Sequence, residues 1–241
     1  GRHDEALGIL LHRTFHPWEG GEGKVSAQYV ISRIAIAKRE MHAKHYEAAI
    51  EHLKAALTWP RNLGEGKLAG ARDNHVHFFL GEAYRGLGDE ETARAHFKLA
   101  TAGSADPTSA MYYNDQPPDM ALYQGLAHLA LGDHDQAREI FLRLIRYGVA
   151  HLNDDIKMDY FAVSLPDFVV FDADLNQRNR IHCHYMMALG ELGMGNAAAA
   201  QTEFGHVLDA QPDHIGAVIH RAWIVDRRAY PVLEQREGQA Q

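Results

Sequence analysis

Cysteine is nearly missing from this chain of 241 residues: Cys183 stands alone, so no intramolecular disulfide can form and no cysteine-rich zinc site can be built. With no disulfide to keep oxidised, a reducing compartment is unopposed and a cytoplasmic location is expected. Long apolar runs are also missing. None approaches the roughly 18 residues of a spanning helix, and the opening Gly1-Arg2-His3-Asp4-Glu5 is polar, so neither a membrane anchor nor a signal peptide is expected. Positive charge is in short supply, with 24 Lys and Arg against 32 Asp and Glu. The resulting formal charge of −8 opposes a phosphate backbone or an anionic lipid surface, which excludes nucleic acid and membrane as expected partners. Two features are plentiful. Hydrophobic residues make up 46% of the chain, enough for a sizeable core, and there are 17 histidines, whose full protonation would carry the charge from −8 to +9.

A pattern of small and large apolar residues around a Gly-Asp turn recurs along the chain. One copy reads Leu80-Gly81-Glu82-Ala83-Tyr84, Leu87-Gly88-Asp89, Ala93, Phe97 and Ala100. Another reads Gly125, Ala127, Leu131-Gly132-Asp133, Ala137, Phe141 and Leu144, and a third Ala188, Met194-Gly195-Asn196, Ala200, Phe204, Leu208 and Pro212. A fainter copy has Lys44 in place of the turn glycine, followed by Tyr46, Ala49, Leu53, Ala56, Leu57 and Pro60. The physical logic is shared: small residues sit where two antiparallel helices cross most closely, a Phe fills the space beside them, and Gly before Asp or Asn ends one helix and caps the next.

These residues resemble the tetratricopeptide repeat, and the resemblance implies an all-α, right-handed superhelical solenoid of helix pairs over residues 1–230, with a polar tail at 231–241. The turns at Lys44, Gly88, Gly132 and Gly195 lie 44, 44 and 63 residues apart, against roughly 34 for the plain repeat. Extra sequence is therefore inserted in every connection, at 15–24, 59–74, 103–119 and 148–176. Two inserts are copies of each other: Pro17-Trp18-Glu19-Gly20-Gly21-Glu22-Gly23-Lys24-Val25 and Pro60-Arg61-Asn62-Leu63-Gly64-Glu65-Gly66-Lys67-Leu68. The chain opens as the turn and second helix of a repeat whose first helix is absent. That points to a piece of a longer protein, with Ala6, Leu7, Leu10 and Leu11 expected as an exposed apolar face on the first helix.

The Gly-Glu-Gly-Lys loops lack the spacing of a phosphate-binding loop: Trp18 and Arg61 stand where the leading Gly is needed, Val25 and Leu68 where Ser or Thr is. They are expected as glycine-permitted turns. Asp172, Asp174 and Asn176 alternate like the start of a calcium loop, but Gln177 and Cys183 occupy the positions that need Gly and Glu, so a loop capping the next helix is expected instead. The pairs His75/His77 and His182/His184 point to different faces of a helix and cannot chelate one ion. No metal, cofactor or catalytic residue is assigned. The segment 160–171 is expected to tuck its Phe and Val residues onto the helices. Met111-Tyr112-Tyr113-Asn114-Asp115-Gln116-Pro117-Pro118-Asp119 combines aromatics, carboxylates and an amide on a stiff turn, a mixture suited to a sugar or a peptide. The candidate ligand-binding residues are Trp18, Tyr112, Tyr113, Asp115 and Asp119, on inserts expected to emerge along one edge and converge.

The phrases 16–24, 62–67, 112–119 and 159–167 also resemble the carboxy-terminal repeat region of bacterial DUF5107-domain proteins. That resemblance implies a preceding β-sandwich reminiscent of carbohydrate-active enzymes. Two functions follow as expectations. The first is a scaffold that binds another protein or an upstream domain of the same chain. The second is an accessory region of a carbohydrate-active enzyme, contributing loop residues to a sugar-binding cleft.

Overall fold

The computed structural model describes residues 1–17, 21–109, 117–156 and 174–225, and all regular structure among them is helical. The helices are α1 (His3–His12), α2 (Lys24–His42), α3 (Tyr46–Ala56), α4 (Asn74–Gly86), α5 (Glu90–Ala100), α6 (Pro118–Leu131), α7 (His134–His151), α8 (Leu175–Met194), α9 (Ala197–Ala210) and α10 (Ile215–Val225), with a single 3-10 turn at Arg61–Leu63. They fall into two compact units, one of residues 1–100 with α1–α5 and one from residue 101 with α6–α10. Each unit is built from antiparallel pairs, α2/α3 and α4/α5 in the first, α6/α7 and α8/α9 in the second. Within each, the second helix of one pair packs on the first helix of the next, as α1 on α2, α3 on α4, α7 on α8 and α9 on α10.

The turn inside every pair has one geometry. Lys44, Gly88, Gly132 and Gly195 adopt left-handed backbone with φ of 62, 82, 90 and 82°. The next residue then donates its N–H back across the turn: His45 to Glu40 O at 2.9 Å, Asp89 to Tyr84 O at 3.0 Å, Asp133 to His128 O at 2.9 Å and Asn196 to Glu191 O at 2.9 Å. This closure satisfies a carbonyl that a helix C-terminus would leave orphaned. The carboxylates of Asp89 and Asp133 then cap the following helices through the N–H groups of Thr92 and Gln136. Asn196 differs, because its side-chain amide turns back to donate to Glu191 Oε2 at 2.6 Å.

The crossings lie where the sequence spacing puts them. Ala37, Ala49 and Leu53, then Ala93 and Phe97, Ala137 and Phe141, and Ala188, Ala200 and Phe204 are all at most 1% exposed. A Cβ on Gly81 would lie 2.5 Å from the Phe97 ring and one on Gly125 2.3 Å from Phe141, so these two crossings close only on glycine. The unpaired first helix, α1, behaves otherwise than expected at one point. Leu7 and Leu10 of α1 are buried, because α1 packs on α2 and on the 3-10 turn, and it is Ile9 and Leu11 that remain exposed.

The inserts of the first unit do converge. Asn62 donates its amide to Leu10 O and Arg13 O, both at 2.7 Å, capping α1, while Phe15 N–H donates to Asn62 O at 2.8 Å. Glu65 in turn accepts from Gly23 N–H at 2.9 Å and from Ser26 Oγ at 2.7 Å, which holds the start of α2. Residues 157–173, which include the segment expected to tuck its Phe and Val onto the helices, and residues 226–241, which include the tail, lie outside the described residues.

Candidate functional site

Of the five candidate ligand residues, Trp18, Tyr112, Tyr113 and Asp115 lie outside the described residues. Asp119 is described. It occupies the first turn of α6, next to Pro118 at the helix start, and burial pushes its carboxyl up to about 6 against the opposing pull of its own and Met120's N–H groups. Its charge bears on Tyr185, whose hydroxyl is held well above the ordinary tyrosine range, chiefly by burial. Tyr185 Oη and Tyr123 Oη sit 3.1 and 3.2 Å from the two ring nitrogens of His220, and His220 Nδ1 also lies 2.7 Å from Gly216 O. The His220 ring thus ties α10 to α6 and α8, with Trp223 edge-on to Tyr123. Asp119 itself is partly buried at the start of α6.

In the Gly-Glu-Gly-Lys loop at 64–67, Gly64 is left-handed at φ 80° and ends the 3-10 turn, while residues 65–68 run without regular structure and α4 begins only at Asn74. Lys67 Nζ donates to Leu57 O at 2.8 Å and to both Asp73 oxygens at 2.8 and 2.7 Å, so its charge is spent inside the protein. Asp174 accepts from Gln177 N–H at 2.9 Å and caps α8, as the loop reading required. The histidines spread through the helix pairs as polar rungs. Arg33 meets His52 at 3.2 Å, His77 meets His96 at 3.2 Å, and His184 meets Glu203 at 2.7 Å, each across one pair and each 19 residues apart. His75 is partly buried, with Nδ1 sealed from solvent, and burial lowers it to about 3, keeping it neutral. Among the described residues no three His, Cys, Asp or Glu side chains gather into a metal-binding group. No helix among them is long and apolar enough to cross a membrane.

One cavity of about 280 Å³ opens in the second unit. The segment 101–106 forms one wall, Gln124 and His128 of α6 another, and Gln136, Ile140 and Arg143 of α7 the third. Arg143 Nη1 donates to Asp106 Oδ1 at 3.0 Å and Nε to Glu139 at 3.5 Å, which pins the wall to α7. Ser104 Oγ donates to Asp106 Oδ2 at 2.8 Å, so the carboxylate is held from both sides. Gln124, 1% exposed, donates its side-chain amide to Ala102 O at 2.8 Å and Gly103 O at 3.2 Å, while its Oε1 has no hydrogen-bond partner. Sequence reasoning missed these residues. The signal was present in the repeat register, where the residue eight before the turn is Ile36, Leu80, Gln124 and Met187.

With this geometry in place, comparison with known families is direct. Residues 74–98, spanning α4 and most of α5, match one tetratricopeptide-repeat model, and residues 119–147, spanning α6 and most of α7, match another. The chain carries tetratricopeptide repeats. The matched segments are the two pairs with glycine at the crossing, Gly81 and Gly125, while the α2/α3 and α8/α9 pairs place alanine there. No solved structure matches the chain.

Proposed function

We propose that this tetratricopeptide-repeat chain is a docking scaffold for another protein or for another domain of a longer chain. The observation that carries the reading is the match of two helix pairs to the tetratricopeptide repeat, on a frame whose four turns and crossings share one geometry. Repeats of this kind are interaction modules: stacking fixes the helices, and the side chains left at the surface are free to select a partner. The resemblance to DUF5107-domain proteins favours an upstream domain of the same chain as the occupant.

Selection of a displayed random-peptide library on the immobilised chain, followed by calorimetry with synthetic peptides, tests this. Sequence-selective binders that compete with one another are expected. Failure to enrich any peptide over a scrambled control would count against the scaffold. The accessory carbohydrate reading draws on Asp119, whose raised carboxyl suits a proton donor, but glycoside hydrolysis needs a second carboxylate about 5 to 9.5 Å away. Turnover of an aryl glycoside that is lost in Asp119→Asn would favour it over the scaffold.

A further inference from the structure

The pair register extends to both ends of the helical frame. α10 packs on α9 as a first helix on the second helix before it, and its buried Ala217 and His220 keep the phase of Val76 and Phe79, Met120 and Tyr123, and Cys183 and Met186, which lie twelve and nine residues before their turns. Counted the same way, the turn after α10 falls at position 229, 34 residues after Gly195 and so one plain repeat with no insert. Ala222 then holds the crossing position of Ala37, Gly81, Gly125 and Ala188. Those four are buried, but Ala222 is exposed. Ile215, Val218 and Val225 are exposed with it, at 52, 52 and 83%, and the spacing of three, four and three residues puts all four on one face. In the other pairs this face lies against the pair's second helix. Among the described residues α10 has none.

The closed pairs define what such a face takes. Five and nine residues after the turn their second helices carry Ala49 and Leu53, Ala93 and Phe97, Ala137 and Phe141, and Ala200 and Phe204. The residue eight after the turn is seated between first-helix side chains eleven and four before it. In the second pair this residue is His96, with the His77 ring on one side and the Tyr84 ring on the other, each 5.4 Å away. His52 takes the same seat on Arg33 at 3.2 Å, and Glu203 on His184 at 2.7 Å. The chain's own continuation lacks the required small and large apolar residues, with Glu234 and Gly238 at the two positions. α1 has them. It packs on α2 as α3 packs on α4, has no first helix of its own among the described residues, and carries Ala6 and Leu10 five and nine residues after Gly1. Its residue at eight is Ile9, 53% exposed. Three of the closed seats pair polar groups, whereas both halves of the open one are apolar: Ile9 on α1, Val218 and Val225 on α10.

We propose that α10 docks α1 of a second copy of this chain, completing a fifth helix pair across the contact. Ile9 of the second copy enters between Val218 and Val225, and its Ala6 and Leu10 lie against Ala222. The contact joins two different surfaces, so it runs head to tail, and each bound copy still offers a free end that leads past a dimer to longer assemblies or a closed ring. The proposal goes beyond the scaffold reading, because it names one partner from the pair register rather than from the surfaces that select peptides.

A single helix-helix contact lies at the weak end of protein interfaces, so the expected Kd is on the order of 10–100 µM. Sedimentation velocity across that range should show the average mass of the full chain rising with concentration past that of a dimer. Val218→Glu on α10 and Ile9→Glu on α1 each put a charge into the apolar seat at a position more than half exposed. Each should therefore leave the melting temperature unchanged and weaken association at least about tenfold. Their equimolar mixture should form a one-to-one dimer and stop there, since one variant keeps a working α1 and the other a working α10. A chain that stays monomeric through the range, loss of association in only one of the two variants, or a mixture that fails to dimerise would overturn the contact. So would a chain ended at Arg228 that assembles where the full chain does not, because the tail would then be the occupant. A monomeric chain that still enriches peptides in the library experiment would overturn the contact and leave the scaffold standing. Head-to-tail assembly with no selectable peptide would do the reverse.

Discussion

Lys44→Gly should stabilise the protein, although it deletes a side chain and adds chain flexibility. Lys44 is the one non-glycine residue with positive φ among the described residues, at 62°, in the position that Gly88, Gly132 and Gly195 hold in the other pairs. Its conformation is enforced by the turn, since Ala43 N–H donates to Arg39 O, Lys44 N–H to Met41 O and His45 N–H to Glu40 O. A Cβ in left-handed backbone costs roughly 1 to 2 kcal/mol. Glycine removes that strain but loses roughly 0.5 to 1 kcal/mol through the freer unfolded chain. The expected net gain is about 0.5 to 1 kcal/mol, or an increase of about 2 to 5 °C in the melting temperature of a unit of this size. Calorimetry on three variants isolates the cause. Lys44→Gly should melt higher, Lys44→Ala should match wild type because any Cβ carries the same strain, and Gly88→Ala should lose about 1 kcal/mol. A Lys44→Ala that rises as much as Lys44→Gly would refute the reasoning, since the gain would then come from removing the lysine.

Gly125→Ala should destabilise by roughly 1 to 3 kcal/mol, because its Cβ would meet the Phe141 ring at 2.3 Å, and urea denaturation with an unchanged midpoint would place the crossing elsewhere. Asn62→Ala should cost roughly 1 to 3 kcal/mol and raise amide exchange at the start of the chain, since both α1 carbonyls it serves lose their donor. Glu82 is buried beside Arg85, and burial lifts its carboxyl to about 7. Folding therefore favours the neutral acid: the contribution is constant below the unfolded value near 4.3, declines as pH rises to about 7, and is constant again above. Glu82→Gln should thus gain on wild type by roughly 2 to 4 kcal/mol between pH 4.5 and 7.5 in parallel urea titrations, and a pH-independent difference would contradict the burial argument.

The sequence by itself determined the helix pairs, their turns and their crossings. Each of these is written over short spans: a small residue, a turn four to eight residues on, then a small residue and a Phe at helical spacing. Lys44 could even be placed in the glycine position of its turn by register alone, and the structure finds the backbone there left-handed. The same local logic identified a glycine-permitted turn at Gly64, whose backbone is left-handed at φ 80°, because glycine spacing is a short-range feature. Tertiary structure alone decided the rest. Asn62 reaches carbonyls 52 and 49 residues away, and Glu65 reaches Gly23 across 42, bonds that leave no local periodicity to read. Apolar residues on α1 divided into buried Leu7 and exposed Ile9 according to which side α2 took, which the helix's own pattern does not state. Gln124 shows the boundary most clearly. Its departure from the repeat is visible in the register, but that its Nε2 is consumed by Ala102 and Gly103 depends on a segment about 20 residues upstream folding back against α6.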